Sequence, residues 1–394
     1  MPAINTSLIP SSSGVSNTSE DAHGLSAARI RIASINLFNF IEPPLAYYDF
    51  ENIYTQEQWQ KKTLWLSDFL QQAFADVVGF QEVFSPEPLA KLAHAQGLVH
   101  FAVVDEPELM ADYIYRSPVV ALASRHPIVD VCSVEIDAEI ACAMGLSASF
   151  SMSRKVLRAT IDLPFIGLTD CYVVHLKSMR PGLDVTQVPA SLTHLHSGPR
   201  LLSQYALGRF TSSIQRGAEA AMLYHAMCDR RQRATYPMVL MGDFNDDLHT
   251  GVLGALTTQI SQIHTGDIKD AGLGHLSDNA LKAVMSHYQL QDSYQLYQTG
   301  RQASIHSNES GSELAAQHQS NEVSARQATH YYGAKGSVLD YILLSSEFDA
   351  GHGRSLAKVI DYQTFDDHLM RPDFERDAYS TDHAPVMVSI EIRN

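Results

Sequence analysis

The ten residues Tyr236-Pro-Met-Val-Leu-Met-Gly-Asp-Phe-Asn245 narrow what this chain can fold into more than any other stretch. Met238 to Met241 reads as a buried strand that stops at Gly242. An acid, Asp243, and an amide, Asn245, follow two residues apart. Positions i and i+2 of an extended segment point to the same side, so both polar heads leave the strand end together. Asp and Asn also favour local turn hydrogen bonds, and taken alone the stretch reads as a strand closed by an Asx-type turn. The rest of the chain changes that reading, because other strands end the same way.

Arg29 to Leu37 alternates as a first strand and ends near Asn36 and Asn39. Gln56 to Phe74 places Trp59, Leu66, Phe69, Ala73 and Phe74 near one face of an amphipathic helix. Asp76 to Phe80 is a short apolar strand that delivers Gln81 and Glu82, and Pro86 opens a helix to about Gln96. Strand patterns follow at Val99–Val104, Tyr113–Ser124, Ile128–Ile136, Ser147–Ser151 and Val156–Leu163. Thr169 to His175 is another apolar strand, ending in His175-Leu-Lys177. A loop over 178–200 leads into a long helix, Leu201 to Arg230. Weaker helical signals occupy Gly251–Leu256 and Ala280–Tyr297. Ser337 to Leu344 reads as a strand with Asp340 in its middle, and Ala384 to Ile392 as the last strand, entered through Thr381-Asp382-His383.

With 394 residues and 45% hydrophobic content the chain can bury a large core. Its first 27 residues are rich in Ser, Asn and Thr, hold no Lys or Arg and no apolar core, and are expected as a disordered tail rather than a secretory signal. Residues 28–394 are expected to form one catalytic domain, with a polar, mobile insertion at about 299–328. No apolar run reaches transmembrane length. The four cysteines lie far apart with no C-x-x-C, which suits buried free thiols in a reducing, cytoplasmic compartment. The formal net charge of -16 argues against a broad basic nucleic-acid surface, but an acidic surround suits divalent cations. Strands dominate, helices separate some of them and no repeat is present, so two packed sheets flanked by helices fit better than a regular βαβ alternation.

Asn36, Glu82, His175, Asp243 with Asn245, and Asp340 therefore sit at strand ends or within strands, and Asp382-His383 stands at the entry to another. A carboxylate inside Val-Leu-Asp340-Tyr-Ile is costly to bury unless paired or bound to a cation. His383 is the candidate partner, since an Asp–His pair fixes the tautomer and stabilises the protonated ring. Glu82, Asn36 and Asp382 offer hard oxygen ligands suited to Mg²⁺ or Mn²⁺.

In this order the motifs resemble the endonuclease/exonuclease/phosphatase superfamily, which includes deoxyribonucleases, abasic-site endonucleases, inositol polyphosphate phosphatases and neutral sphingomyelinases. The likeness runs from about residue 29 to 394. It implies an α/β (α+β) fold: a four-layer α/β/β/α sandwich of two mixed, mainly antiparallel sheets flanked by helices, with the site at one rim. Glu82 then resembles the principal metal carboxylate, Asn36 the amide that supports metal and phosphate, and Asp382 an acid some members use for a metal. Asp243 and Asn245 match the G-D-x-N motif that positions water and phosphoryl oxygens. Asp340 and His383 match the Asp–His pair, and His175 a histidine donor to the phosphate. Either His383 or Asp243 is left as the base.

The neighbours of these motifs bear on substrate. Lys177 reads either as a phosphate ligand or as a solvated strand-end lysine, and Asn39 as a site or a loop residue. Tyr331 and Tyr332 read as cleft lining or as packing, Asp112 as a surface acid, and Arg216 with Glu219 as an exposed i, i+3 pair. Phe84 stands where nucleases of the family often carry a basic residue, and the Arg that inositol phosphatases carry after the G-D-x-N motif is absent. His175-Leu-Lys-Ser near Arg180-Pro181 resembles bacterial members of undefined substrate. The implied activity is a metal-dependent phosphodiester hydrolase, nuclease-like in chemistry, with DNA among its candidate substrates and no evident protein partner. A small or lipid-derived phosphoester is the alternative, and a dead binding scaffold a third reading disfavoured by the intact acids and histidine.

Overall fold

A computed structural model describes residues 28–182, 192, 196–309 and 326–393, with the backbone alone for 303–309. The expected tail over 1–27 lies outside the described residues, as do residues 310–325 of the expected insertion. The first part of that insertion instead continues a helix, Ser293–Glu309. Its last residues include Arg326, whose guanidinium is buried against Asp292 at 2.6 Å.

The chain is a mixed α/β protein built around two six-stranded sheets. One runs Ala357–Thr364, Val386–Ile392, Arg29–Phe40, Val77–Val83, Val119–Ser124, His100–Val103. The other runs Leu290–Asp292, Asp340–Ser345, Met238–Asp243, Gly167–His175, Leu157–Leu163, Ile128–Ser133. Each sheet contains a single parallel pair near its middle: Arg29–Phe40 beside Val77–Val83, and Gly167–His175 beside Met238–Asp243. All other pairings in the two sheets are antiparallel.

Alternation along the strands sorts side chains between cores. Ile30 and Ile32 point into a core shared with Val120, Val173, Met241 and Ile342, which joins the two sheets face to face. Ala33 and Ile35 point the other way, toward Trp59, Leu66 and Phe69 of the Gln56–Ala73 helix and Leu89 of the Pro86–Ala95 helix. The second sheet turns Tyr172, Val174, Leu240 and Leu343 toward Ala220, Leu223 and Met227 of the long Ser197–Arg233 helix. At Gly79 an added Cβ would come within 2.9 Å of Met241 Sδ, so the sheets meet closely there.

The expected elements recur with informative differences. Asp340 opens its strand rather than sitting in its middle, because Lys335–Ser337 pairs separately with His330–Tyr332. Ser147–Ser151 forms no strand; the Ser147 hydroxyl takes the Ser149 N–H and diverts the backbone into a local turn. The helical reading of Ala280–Tyr297 is interrupted by the edge strand Leu290–Asp292. Phe74 leaves the buried helix face: it is the left-handed C-cap, exposed, with its ring under Arg125. Lys62 occupies that face instead. Ala357–Thr364 carries Lys358, Asp361 and Gln363 and shows little apolar alternation, so its pattern does not announce a strand. The thiols are free, but only Cys171 is buried and Cys142 is exposed. Among the described residues no helix is long and apolar enough to cross a membrane.

Gly242, next to last in its strand, has a φ of +148°, and a Cβ there would lie 2.0 Å from the Val174 carbonyl oxygen of the parallel neighbour. Gly242→Ala is therefore expected to destabilise the fold by roughly 3 kcal/mol, read as a lowered urea midpoint at unchanged m-value. A midpoint within error of wild type would contradict this packing.

Candidate active site

The two parallel pairs explain why so many polar groups meet. Parallel strands release their C-terminal ends at the same edge, and antiparallel neighbours begin there. Asn36 and Glu82 thus leave one sheet where His175 and Asp243 leave the other. His175, Asp243 and Asp340 lie in one cross-strand row. Thr381 ties the last strand's entry to the same edge by donating its hydroxyl to the Asn36 carbonyl at 2.6 Å, and it accepts the His383 N–H at 3.1 Å.

Asp243 is 1% exposed and is the centre of the cluster. Its Oδ2 accepts from Asn36 Nδ2 across the two sheets at 3.1 Å and from Asn245 Nδ2 at 3.2 Å. Its Oδ1 accepts the Asn245 N–H at 2.8 Å, so the Asx turn that the local sequence allows is formed as well. Asn245 adopts φ +55°, so the pair converges through a left-handed turn rather than along an extended strand. His175 Nε2 lies 3.4 Å and His383 Nε2 3.9 Å from Asp243 Oδ2. Burial pushes the Asp243 carboxyl up to about 7, with His383 acting against the rise.

His383 Nδ1 meets Asp340 Oδ2 at 2.8 Å. Burial alone would lower this imidazole, but the carboxylates of Asp340 and Asp243 outweigh it and raise the ring to about 10. His175 goes the other way: burial, helped by Arg154, holds it well below the ordinary histidine range. Among the described residues, the buried Nδ1 of His175 has no hydrogen-bond partner. His330 stacks at 4.9 Å from the His383 ring and pairs with it through a β-bridge.

Glu82 and Asp382 face the same cleft. Both act on the buried Lys62, whose amine donates to the Ser380 carbonyl at 2.9 Å and which burial pushes down to about 7 against their pull. Glu82 Oε2 accepts the Asn39 N–H at 3.0 Å, while the Asn39 amide oxygen is buried and has no hydrogen-bond partner among the described residues. Phe38, Asn39 and Glu82 all hold positive φ, at 47°, 59° and 60°. These hard oxygens, one of them orphaned, fit a small divalent cation. The ligand atoms of His330, Asp382 and His383 also lie within 4.8 Å of one another. Asn36 spends its amide on the Phe38 N–H and on Asp243, so Asn39 rather than Asn36 offers the open amide oxygen.

The cleft has a volume of about 600 Å³. Glu82, His175, Asp243, Asn245, Asp382 and His383 line it, and Asn36 and Asp340 lie buried beneath. Residues the sequence reading did not select complete it: Arg154, Arg209, Lys335, Tyr48, Tyr205 and His330, with Arg180 from the noted Arg-Pro pair and Tyr332, whose ring is 87% exposed. Lys177 does not line it; its amine turns to the carbonyls of Ser178 and Arg180 at 3.5 and 3.4 Å. Arg216 and Glu219 are not an exposed pair. Both are buried, Arg216 on Asp246 at 2.6 Å, and Glu219 on the N–H groups of Ser153 and Lys177, each at 2.7 Å. They fix the loops that carry Arg154 and Lys177. Asp112 is exposed, as expected of a surface acid.

Asp340→Asn removes the charge that keeps His383 protonated. In metal-free protein the His383 pKa is expected to fall by about 1–2 pH units, followed by imidazole NMR titration. An unmoved titration would separate the two residues electrostatically.

No curated protein sequence matches the chain. Solved structures with similar folds include an endonuclease/exonuclease/phosphatase from Beutenbergia cavernae, at 15% identity over 92% of this chain and 72% of that one, TM-score 0.44. The human Nocturnin catalytic domain with bound sulfate aligns at 16% identity over 93% and 95%, TM-score 0.49. An endonuclease/exonuclease/phosphatase from Bacteroides vulgatus aligns at 12% identity over 93% and 100%, TM-score 0.48. The model of the Endonuclease/Exonuclease/phosphatase family matches residues 34–383, from the strand that carries Asn36 to His383 itself, and the chain belongs to that family.

Proposed function

We propose that this protein is a metal-dependent phosphodiesterase that activates water for in-line attack on phosphorus. The observation that carries the reading is the convergence of Glu82, Asp382, Asp243, His175 and His383 on one cleft. Glu82 and Asp382, with the Asn39 amide oxygen beside them, would hold a Mg²⁺ or Mn²⁺ ion, which supplies charge neutralisation at the non-bridging oxygens. Asn36 acts as a brace for Asp243 rather than as a ligand, in keeping with its hydrogen bond to that carboxylate.

The residues divide the proton work by their surroundings. His383 keeps its proton well above neutral and serves as a donor, whereas Asp243, raised to about 7, takes the proton of the attacking water. The water oxygen bonds to phosphorus as one ester P–O bond breaks, and the leaving oxygen receives a proton from His383. Asn245 holds Asp243 in place, and His175, neutral and buried, faces the phosphoryl oxygens as a fixed dipole. Arg154, Arg180, Arg209 and Lys335 concentrate positive charge at the mouth of an otherwise acidic protein. That local charge suits a phosphodiester held at one point. Phe84 is buried against Tyr47 and Tyr48 and gives no further grip on a polyphosphate chain.

Hydrolysis of bis(p-nitrophenyl) phosphate with Mn²⁺ is expected to be abolished by chelator and lowered about 10²–10⁴-fold by His383→Ala. Glu82→Gln should weaken Mn²⁺ binding measured by calorimetry while leaving the fold intact. Full turnover by a folded His383→Ala protein would refute the assignment.

A further inference from the structure

The Ser197–Arg233 helix has 37 residues, and so spans about 55 Å. Its contacts with the second sheet's apolar core come from Ala220 onward. The half before that overhangs the cleft side, where it meets the Arg180–Gly182 loop through Gly208 and Ser212. Tyr205 and Arg209 of this half line the cleft. Its outer surface also carries exposed apolar side chains: Leu201 is 57% exposed, Leu202 74%, Phe210 66% and Ile214 50%. Leu207 and, on the adjoining loop, Met179 are exposed as well.

The charge pattern of this half differs from that of the chain. The whole sequence holds 44 acids, yet residues 196–218 contain no Asp or Glu and include Arg200 and Arg209, besides Arg216, which is buried on Asp246. An exposed apolar helix face that has Arg200 and Arg209 on the same half and no acid within residues 196–218 is matched to a phospholipid surface, where the apolar side chains enter the acyl boundary and the cations meet phosphates. Nucleic acid fits less well, because Leu201, Leu202, Leu207 and Ile214 offer no stacking face and only Tyr205 and Phe210 could stack a base.

We infer that this overhanging half docks the protein on a phospholipid membrane and presents headgroup phosphodiesters to the adjoining cleft. The inference rests on the phosphodiesterase reading for its substrate class, and on the exposed helix alone for the docking. The reaction is the hydrolysis described above, with the lipid phosphodiester as the ester cleaved.

Flotation of the full-length protein with phosphatidylcholine vesicles, with and without phosphatidylglycerol, tests it. The control is Leu202→Asp/Phe210→Asp, whose side chains are already in solvent and outside the cleft. Wild type is expected to float with the vesicles. The double variant should lose vesicle binding at least roughly tenfold while hydrolysing soluble bis(p-nitrophenyl) phosphate as before. Hydrolysis of the soluble diester without flotation of the wild type overturns the docking and leaves the phosphodiesterase reading standing. Flotation without hydrolysis of either lipid or soluble diester supports the docking and overturns its catalytic half. Sedimentation velocity that finds a dimer broken by the double variant, with no vesicle binding, assigns the face to a second copy and overturns the proposal.

Discussion

A buried carboxylate at the seam of two sheets governs this molecule. Asp243 is almost wholly buried at the floor of the cleft, and an ion in that position is tolerated only if donors surround it. The donors come from both sheets: Asn36 from one, Asn245 and the nearby His175 from the other, with His383 arriving from the entry to a strand of the first. Satisfying one acid therefore fixes how the sheets face each other at this edge. The same demand keeps the cleft-side groups within a few ångströms of one another, which is what hydrolytic chemistry requires.

Much of this was legible in the sequence because the signals are local. Apolar runs ending in Asn36, Glu82, His175 and Asp243 give strands that stop on polar residues, and their C-terminal ends assemble when the central pairs are parallel. What could not be read depends on tertiary neighbours. Arg216 and Glu219 have the spacing of a solvated helix pair, and only the packing of the Ser153 and Lys177 backbone N–H groups onto Glu219 makes them interior. Lys62 sits in a helix whose buried face otherwise reads as apolar, so no periodicity marks it as the cation beneath Glu82 and Asp382. His330 is one of many histidines in sequence; the β-bridge to His383 alone distinguishes it.

The second half of the site is held by ties that begin in the last residues of the insertion. Arg326 is enclosed by the rings of Tyr294, Tyr341 and Tyr362 and paired with Asp292. Three residues later, the Thr329 hydroxyl accepts the N–H groups of Leu339 and Asp340, and the Thr329 carbonyl accepts that of Ala384. Asp340 and His383 are thereby registered to each other by backbone contacts before their side chains meet.

Phe38, Asn39, Glu82 and Asn245, four of the eight non-glycine residues with positive φ among the described residues, concentrate conformational strain at this one edge. Each costs on the order of 1 kcal/mol over a glycine in the same place. At Glu82, Asn39 and Asn245 the proposed chemistry is carried by the side chain, so on that proposal glycine would relieve the backbone and erase the chemistry. Selection for stability and selection for turnover pull these positions in opposite directions. A lineage that abandoned catalysis would be free to drift there first, and loss of strain at this edge would mark a descendant that has kept the scaffold but retired from its trade.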